Sequence, residues 1–448
     1  MGTEEPRDLA EPEEIVSTKQ RRIAENARRL PEVSFSSIAH HMDVWWLHEA
    51  YRRTRKDGAV GIDGQTAEEY QRDLKGNLES LKERAKSGLY RAPAVRRVRI
   101  PKAGSTETRP IGIPTFEDKV LQRAVVMLME PIYEQDFHDF SFGFRPGKSQ
   151  HMALRYLRNG LMENKGGWVI DLDIRKFFDT LDRSKLREIL AKRVSDGVIR
   201  RLIGKWLNAG VMENGERSHS ETGTPQGGVI SPLLSNIYLH EVLDTWFVKD
   251  VQPRMRGRCF LVRFADDAVL GFEYKADAER VMAVISKRFE KYGLELHPEK
   301  TKLVDMRSPY DDNGMNQGGT EPGSTTFLGF KHYWAKSRKG SWVIKQKTDS
   351  TRLNRAVQAV AEWIKRHRHE SMRKQQEALN LKMKGHYGYY GVTGNFRSLE
   401  SYYYAILRNW FKWLRRRSRE KTLTWVRFFQ HLDRFPLPRP RIVHSIYA

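Results

Sequence analysis

The sequence predicts an α+β fold, and three patterns in its 448 residues carry that expectation. Residues 168–173 make a strand-like apolar run ending in acidic side chains. Residues 259–272 hold two further apolar runs on either side of Asp266-Asp267, the form of a hairpin. Apolar positions recur at steps of three and four over Tyr403, Ile406, Leu407, Trp410, Phe411 and Leu414, the period of a half-buried helix. A hydrophobic share of 39% with 11% aromatics excludes a mostly disordered chain, and this length suits two or three packed units.

The first strand candidate is Trp168-Val169-Ile170-Asp171-Leu172-Asp173. Alternation along a strand puts Asp171 and Asp173 on the same side. Two carboxylates at the end of a buried strand are costly without a compensating cation, and a divalent metal is the simplest one. Downstream, Leu186, Ile189, Leu190 and Val194 are helically spaced after Asp182, a suitable N-cap. This stretch is therefore a strand, a turn and a helix.

The hairpin candidate runs from Cys259 through Phe264-Ala265-Asp266-Asp267 to Phe272. Adjacent carboxylates at a turn are common on protein surfaces. Placed beside the Asp173 strand end, however, they gather three carboxylates, the oxygen-rich set that hard Mg²⁺ ions prefer. Two such ions can activate a 3′-hydroxyl and stabilise leaving pyrophosphate in an in-line displacement. Between the two segments, Thr222-Gly223-Thr224-Pro225-Gln226-Gly227-Gly228 is a loop of small residues that lets a nucleotide approach the backbone, and Ser231-Pro232 is a good helix start.

Charge is distributed unevenly. The chain has 79 Lys and Arg against 56 Asp and Glu, a net charge of +23. From Ala335 onward there are 26 Lys and Arg and 7 Asp and Glu, so this quarter holds +19 of the surplus. Its cations are interleaved with Trp363, Tyr387, Tyr389, Tyr390, Tyr402, Tyr403, Tyr404, Trp410 and Trp413, the composition of base-stacking surfaces, although many of those rings must fill a core. Nucleic acid is the expected partner, ahead of an acidic membrane surface. Residues 307–326 read as a flexible loop and residues 1–20 as a poorly ordered acidic tail.

Other classes are excluded or disfavoured. Mean hydropathy is −0.66, and no apolar run approaches the ~20 residues of a membrane span. Met1 to Glu14 is acidic and lacks the apolar stretch of a secretory leader, so a cytoplasmic location is expected. Cys259 is the lone cysteine, which excludes disulfides within the chain and cysteine-based zinc clusters. The pairs His40-His41 and His367/His369 lack the spacing of a zinc protease helix.

With these motifs in this order, the sequence resembles the reverse transcriptase–maturases encoded by group II introns, from about residue 35 to about residue 419. Gly58-Ala59-Val60-Gly61-Ile62-Asp63-Gly64-Gln65-Thr66 is similar to the family's N-terminal extension. Arg109-Pro110-Ile111-Gly112-Ile113-Pro114, Asp118-Lys119-Val120-Leu121-Gln122 and Gly143-Phe144-Arg145-Pro146-Gly147-Lys148-Ser149 are similar to its finger motifs. Phe264-Ala265-Asp266-Asp267 stands where the family usually has Tyr-Ala-Asp-Asp; both carboxylates are kept. His297-Pro298-Glu299-Lys300-Thr301-Lys302 and Phe327-Leu328-Gly329-Phe330 are similar to the last palm motifs.

The resemblance implies a right-hand polymerase: fingers and an antiparallel palm sheet with helices, then a helical thumb and a basic maturase domain. The implied divisions are 1–30 (acidic tail), 31–100 (extension and start of fingers), 101–335 (fingers and palm), 336–420 (thumb and maturase) and 421–448 (tail without the optional cysteine-containing endonuclease domain). Asp173, Asp266 and Asp267 become the catalytic triad, with Asp173, Ile174, Asp266 and Asp267 as ligands of two Mg²⁺ ions and Asp171 a neighbour. Lys102 and Arg109 are implied triphosphate contacts, Phe178 the gate that crowds a ribose 2′-hydroxyl, and Gln226 and Gly227 the loop under the templating pair. Phe327, Leu328 and Gly329 form the implied primer grip. Lys384, Tyr389, Arg415, Arg416 and Arg417 are implied RNA contacts, near Gly385-His386-Tyr387-Gly388-Tyr389-Tyr390-Gly391. The implied partners are a structured intron RNA, an RNA template, a DNA primer or target and dNTPs. Two other readings share these residues: a maturase that binds RNA without polymerising, which the intact triad disfavours, and a reverse transcriptase domesticated for host repair, defence or spacer acquisition. Oligomeric state is not legible.

Overall fold

A computed structural model describes residues 12–101, 108–213, 216–218, 227–309, 323–417 and 423–447. Lys102 and Gln226 lie outside them. The chain opens with helix α1 (Pro12–Arg29), which packs on α2 (Val44–Arg53) and α5 (Phe116–Asp136). Val16, Ile23 and Ala27 of α1 are fully or almost fully buried. The expected tail over residues 1–30 is thus corrected from Pro12 onward: apolar residues seven and four apart give α1 one buried stripe despite its many charges.

Short helices α3 (Ala67–Gln71) and α4 (Leu74–Ser87) follow, with Thr66 and Glu69 forming a capping box at α3. Strands β1 (Val95–Pro101) and β2 (Thr108–Ile113) pair antiparallel from Arg96↔Ile113 to Pro101↔Thr108. Helix α5 is the spine of this half, with Val120, Leu121, Ala124, Val125, Leu128, Met129 and Ile132 all fully buried. Next come α6 (Gln150–Glu163), β3 (Trp168–Leu172), the single turn α7 (Phe177–Thr180), α8 (Arg183–Arg193), α9 (Gly197–Leu207) and the short strands β4 (Val211–Glu213) and β5 (Glu216–Ser218). Asp182 caps α8, its Oδ1 accepting from the amides of Ser184 and Lys185 at 2.8 and 3.1 Å.

Helix α10 (Ser231–Leu239) starts at Ser231-Pro232 and runs into two π-helical turns, His240–Asp244 and Phe247–Val251. Then come β6 (Cys259–Phe264), β7 (Asp267–Phe272), α11 (Lys275–Glu290), β8 (Lys302–Asp305), β9 (Thr325–Phe327), β10 (Phe330–Lys336) and β11 (Trp342–Thr348). One antiparallel sheet has the order β6-β7-β3-β8, and Ile170, Leu172, Leu261, Ala268, Leu270 and Phe272 are buried in the main core. A second sheet has the order β2-β1-β4-β5, and a third the order β11-β10-β9. The antiparallel palm-type sheet that the resemblance implies is therefore present.

The basic quarter is helical from Ser350, not from residue 336: β11 still belongs to the third sheet. Helices α12 (Ser350–Arg366), α13 (Met372–Tyr390), α14 (Phe396–Arg415) and α15 (Trp425–Arg434) share a separate core around Leu379, Tyr402, Ile406, Trp410 and Phe428. The expected tail after residue 421 is corrected as well. Phe428 of α15 is fully buried, and Trp425 stacks on Phe411 at 3.9 Å. Beyond α15 the chain returns to the palm side, where Ile446 is buried and the Ser445 carbonyl accepts from Arg155 at 3.1 Å. Among the described residues no helix is long and apolar enough to cross a membrane.

Candidate active site

The acidic site follows from strand register. Leu172 of β3 pairs with Ala268 of β7, and Phe264 of β6 pairs with Asp267. One step past the ladder, Asp173 leaves β3 at the level of Asp267. The β6–β7 turn consists of Ala265 and Asp266, and Ala265 takes a φ of 57° that non-glycine residues rarely adopt. All three carboxylates of the expected triad therefore emerge at one end of the sheet. Among the described residues no three acidic, imidazole or thiol groups form a closed metal cluster.

Asp173 is fixed from β8's side. Its amide donates to Thr301 Oγ1 at 3.3 Å and its carbonyl accepts from the His297 amide at 2.8 Å. Lys300 Nζ lies 3.3 Å from Asp173 Oδ2. Ile174 bridges Leu296 and its side chain is in the core, so only its backbone carbonyl is left to offer an ion.

The electrostatics of the site call for positive charge. Asp267 is open to solvent on one side, and desolvation by its surroundings, followed by the charges of Asp266, Asp173 and Asp171, pushes its carboxyl up to about 6, against a downward pull from Arg352. Burial likewise raises Asp266, with Arg109 and Arg263 pulling the other way. Asp171 is pushed up to about 6 by burial, Lys302 opposing and Asp173 adding to the rise. An all-oxygen donor set whose members resist ionising side by side fits a hard divalent cation.

Around this floor, the other expected residues take different places. Arg109 is exposed on β2 and close enough to act on Asp266. Phe178 is half-buried beside Phe177, ring centroids 5.3 Å apart and edge to face. Gly227 has a φ of 115°, and a Cβ there would lie 2.6 Å from the Gly112 carbonyl, so only a glycine fits against β2 at this position. The β9–β10 turn is Leu328-Gly329, with φ of 51° and 78°, the paired left-handed residues of a tight hairpin. Phe327 is core, Tyr389 Oη donates to the Leu328 carbonyl at 3.0 Å, and the Gly329 carbonyl accepts from Asp349.

Two of the expected RNA contacts are reassigned by their partners. Tyr389 spends its hydroxyl on Leu328 and its ring against Phe330, so it is a packing residue rather than an open stacking platform. Arg417 donates to the carbonyls of Arg368 and Glu370, closing a helix connection. Lys384, Arg415 and Arg416 are exposed. Arg416 lies 5.1 Å from the Trp413 ring centre, which Lys365, Arg368 and Lys412 also approach within 6 Å, each on its own side chain. Sequence reasoning missed Arg263, Arg352 and Thr301. The first two are single arginines with no local pattern; Thr301 lay within a motif already noted.

The sequence is similar to known proteins. The sequence profile of the family described as reverse transcriptase (RNA-dependent DNA polymerase) matches residues 100–332. Protein YkfC of Escherichia coli is 39% identical over 365 residues, covering 73% of this chain and 90% of that protein. The group II intron-encoded protein LtrA of Lactococcus lactis is 36% identical over 228 residues, covering 49% of this chain and 37% of LtrA. Nuclear intron maturase 2 of Arabidopsis thaliana is 30% identical over 195 residues, covering 35% of this chain and 26% of that protein.

Proposed function

The chain belongs to the reverse transcriptase family, in its group II intron-encoded branch, and is an RNA-directed DNA polymerase; from that premise we propose that it extends a DNA primer on an RNA template and binds the RNA of its own intron to assist splicing and retrohoming. The observation that carries the polymerase reading is the convergence of Asp173, Asp266 and Asp267 at one end of the β6-β7-β3-β8 sheet.

In this reading Asp173, Asp266, Asp267 and the Ile174 carbonyl hold two Mg²⁺ ions. When bound, the ions supply charge for the attacking 3′-oxygen and the departing pyrophosphate. The protein's own groups set the geometry. Arg109, and Lys102 outside the described residues, draw the triphosphate toward Asp266. Phe178 closes the space beside C2′, admitting a hydrogen and excluding a hydroxyl. The Gln226-Gly227 loop lets the templating pair lie against the backbone, and the Leu328-Gly329 turn carries the primer strand. The exposed cations and half-buried rings of α12 to α14 support the intron RNA reading.

Primer extension on paired RNA and DNA templates of one sequence tests the proposal. Mg²⁺-dependent incorporation of dNTPs opposite the RNA template is expected; an inert protein that still binds both duplexes is the result against it. Splicing of the flanking RNA with and without the protein tests the maturase part.

A further inference from the structure

Beneath the Ala265-Asp266 turn lies a charged pair with no access to solvent. Arg263 and Asp244 are both completely buried. Arg263 Nε donates to Asp244 Oδ1 at 2.8 Å and Nη2 to Asp244 Oδ2 at 2.6 Å. Nη1 then donates to two further oxygens, Asn236 Oδ1 at 3.0 Å and the Ala265 carbonyl at 3.0 Å. Asn236 in turn donates to the Gly143 carbonyl at 2.7 Å. Gly143 lies flat against the same turn, since a Cβ there would stand 2.2 Å from the Ala265 amide nitrogen.

The helix that supplies the acceptors is adapted to this task. Asn236 and Asp244 are eight positions apart, which a straight α-helix leaves offset by about 80° around its axis. The π-helical turn over His240–Asp244 lowers the rotation per residue and brings both to the same guanidinium. A buried ion pair is poor evidence for stability on its own, because desolvation offsets its attraction. Its placement under a strained turn gives it a different use.

We propose that Arg263, held by Asp244 and Asn236, is a positioning residue that clamps the Ala265 carbonyl and thereby sets the aim of Asp266, linking the turn to the finger segment at Gly143. Lysine cannot replace it, because the clamp needs donors in three directions at once from one planar group. The inference rests on the reading of Asp266 as a metal-holding catalytic carboxylate.

The test compares Asn236→Ala and Arg263→Lys with Arg193→Lys. Arg193 is a second buried arginine, which forks onto Asp136 and the carbonyls of Leu30 and Val33 and makes no bond to the turn, so its loss measures general destabilisation. In steady-state primer extension the two clamp variants should lose about tenfold or more in kcat, with the dNTP KM changed by less than about twofold. Hydrogen exchange at the Ala265 and Asp266 amides should quicken in both, and the Arg193 variant should match the wild type at those amides. Asn236→Ala keeps the ion pair and guards against a variant that simply fails to fold. Clamp variants whose turn exchange and kcat move no more than those of Arg193→Lys overturn the proposal. If the wild-type chain extends no primer, the polymerase reading fails, and the exchange measurement still decides whether the clamp holds the turn.

Discussion

Lys300 Nζ stands 3.3 Å from Oδ2 of Asp173, a lysine ammonium facing the carboxylate that closes the central strand. Both side chains reach solvent, so the pair is a mobile counter-charge rather than a buried lock. A cation arriving at Asp173 must displace it. Lys300→Gln should therefore lower the Mg²⁺ concentration for half-maximal extension by about twofold to fivefold, the range set by an exposed ion pair of up to about 1 kcal/mol. A midpoint that rises would mean that Lys300 helps the substrate bind instead.

Phe178 offers a test of sugar selection. The side chain is half-buried against Phe177, which keeps the ring from swinging aside. Phe178→Ala should raise ribonucleotide incorporation relative to deoxynucleotide by about 10- to 100-fold, as expected when a steric wall is removed from a pocket. Measuring kcat/KM for dCTP and CTP on one template decides the matter, and an unchanged ratio contradicts the gate.

Asp118 gives a prediction about pH. It is almost fully buried, accepts from Tyr90 Oη at 2.5 Å, Trp206 Nε1 at 2.6 Å and Gln122 Nε2 at 3.1 Å, and burial pushes it up to about 6. Because the folded carboxyl holds its proton more tightly than the unfolded one, its contribution to stability is full below the ordinary carboxylate range and is lost as pH rises through about 6. Relative to Asp118→Asn, the wild type should lose about 2 kcal/mol of unfolding free energy between pH 4 and pH 7. Urea unfolding of both proteins at the two pH values measures the difference. A difference independent of pH would show that the carboxyl ionises normally in the fold.

The cations around Trp413 should bind RNA by charge. Replacing Lys365, Lys412 and Arg416 with Gln should reduce the slope of log binding constant against log salt by about 2 to 3, because each phosphate contact contributes about 0.7 to 0.9 of an ion. Arg417 is left in place, since its bonds to the Arg368 and Glu370 carbonyls make its loss a folding defect. An unaltered slope would leave these residues as an ordinary solvated face.

Much of the acidic site was legible because it depends on parity alone. Alternation put Asp171 and Asp173 on one side, and two apolar runs around Asp266-Asp267 could pair only as a hairpin. The supports were not legible, because they depend on contacts between distant segments. Arg263 reads as an ordinary polar residue in a strand, and only the π turn that swings Asp244 toward it makes it a buried clamp. Arg415, Arg416 and Arg417 look equivalent as a run, yet the last turns back onto a neighbouring connection. Tyr389 sits in a run of aromatic residues, and its role is decided by the Leu328 carbonyl 61 positions earlier. Helix α1 reads as a tail because its apolar residues are sparse among charges, whereas α15 is rich in apolar residues but lies past the last motif of the resemblance. Burial of Val16, Ile23 and Ala27, and of Phe428, is enough to dock them.

The most direct test of the central claim is Asp266→Asn in primer extension on an RNA template, with RNA binding measured on the same sample. The substitution keeps the shape of the turn and removes one charge from the Asp173, Asp266 and Asp267 set. Extension should fall by about 10²- to 10³-fold or more, as when a group stabilising the transition state is lost, while RNA affinity stays within twofold or about that. Extension at the wild-type rate by Asp266→Asn in Mg²⁺ would contradict the assignment of this sheet end as the polymerase centre.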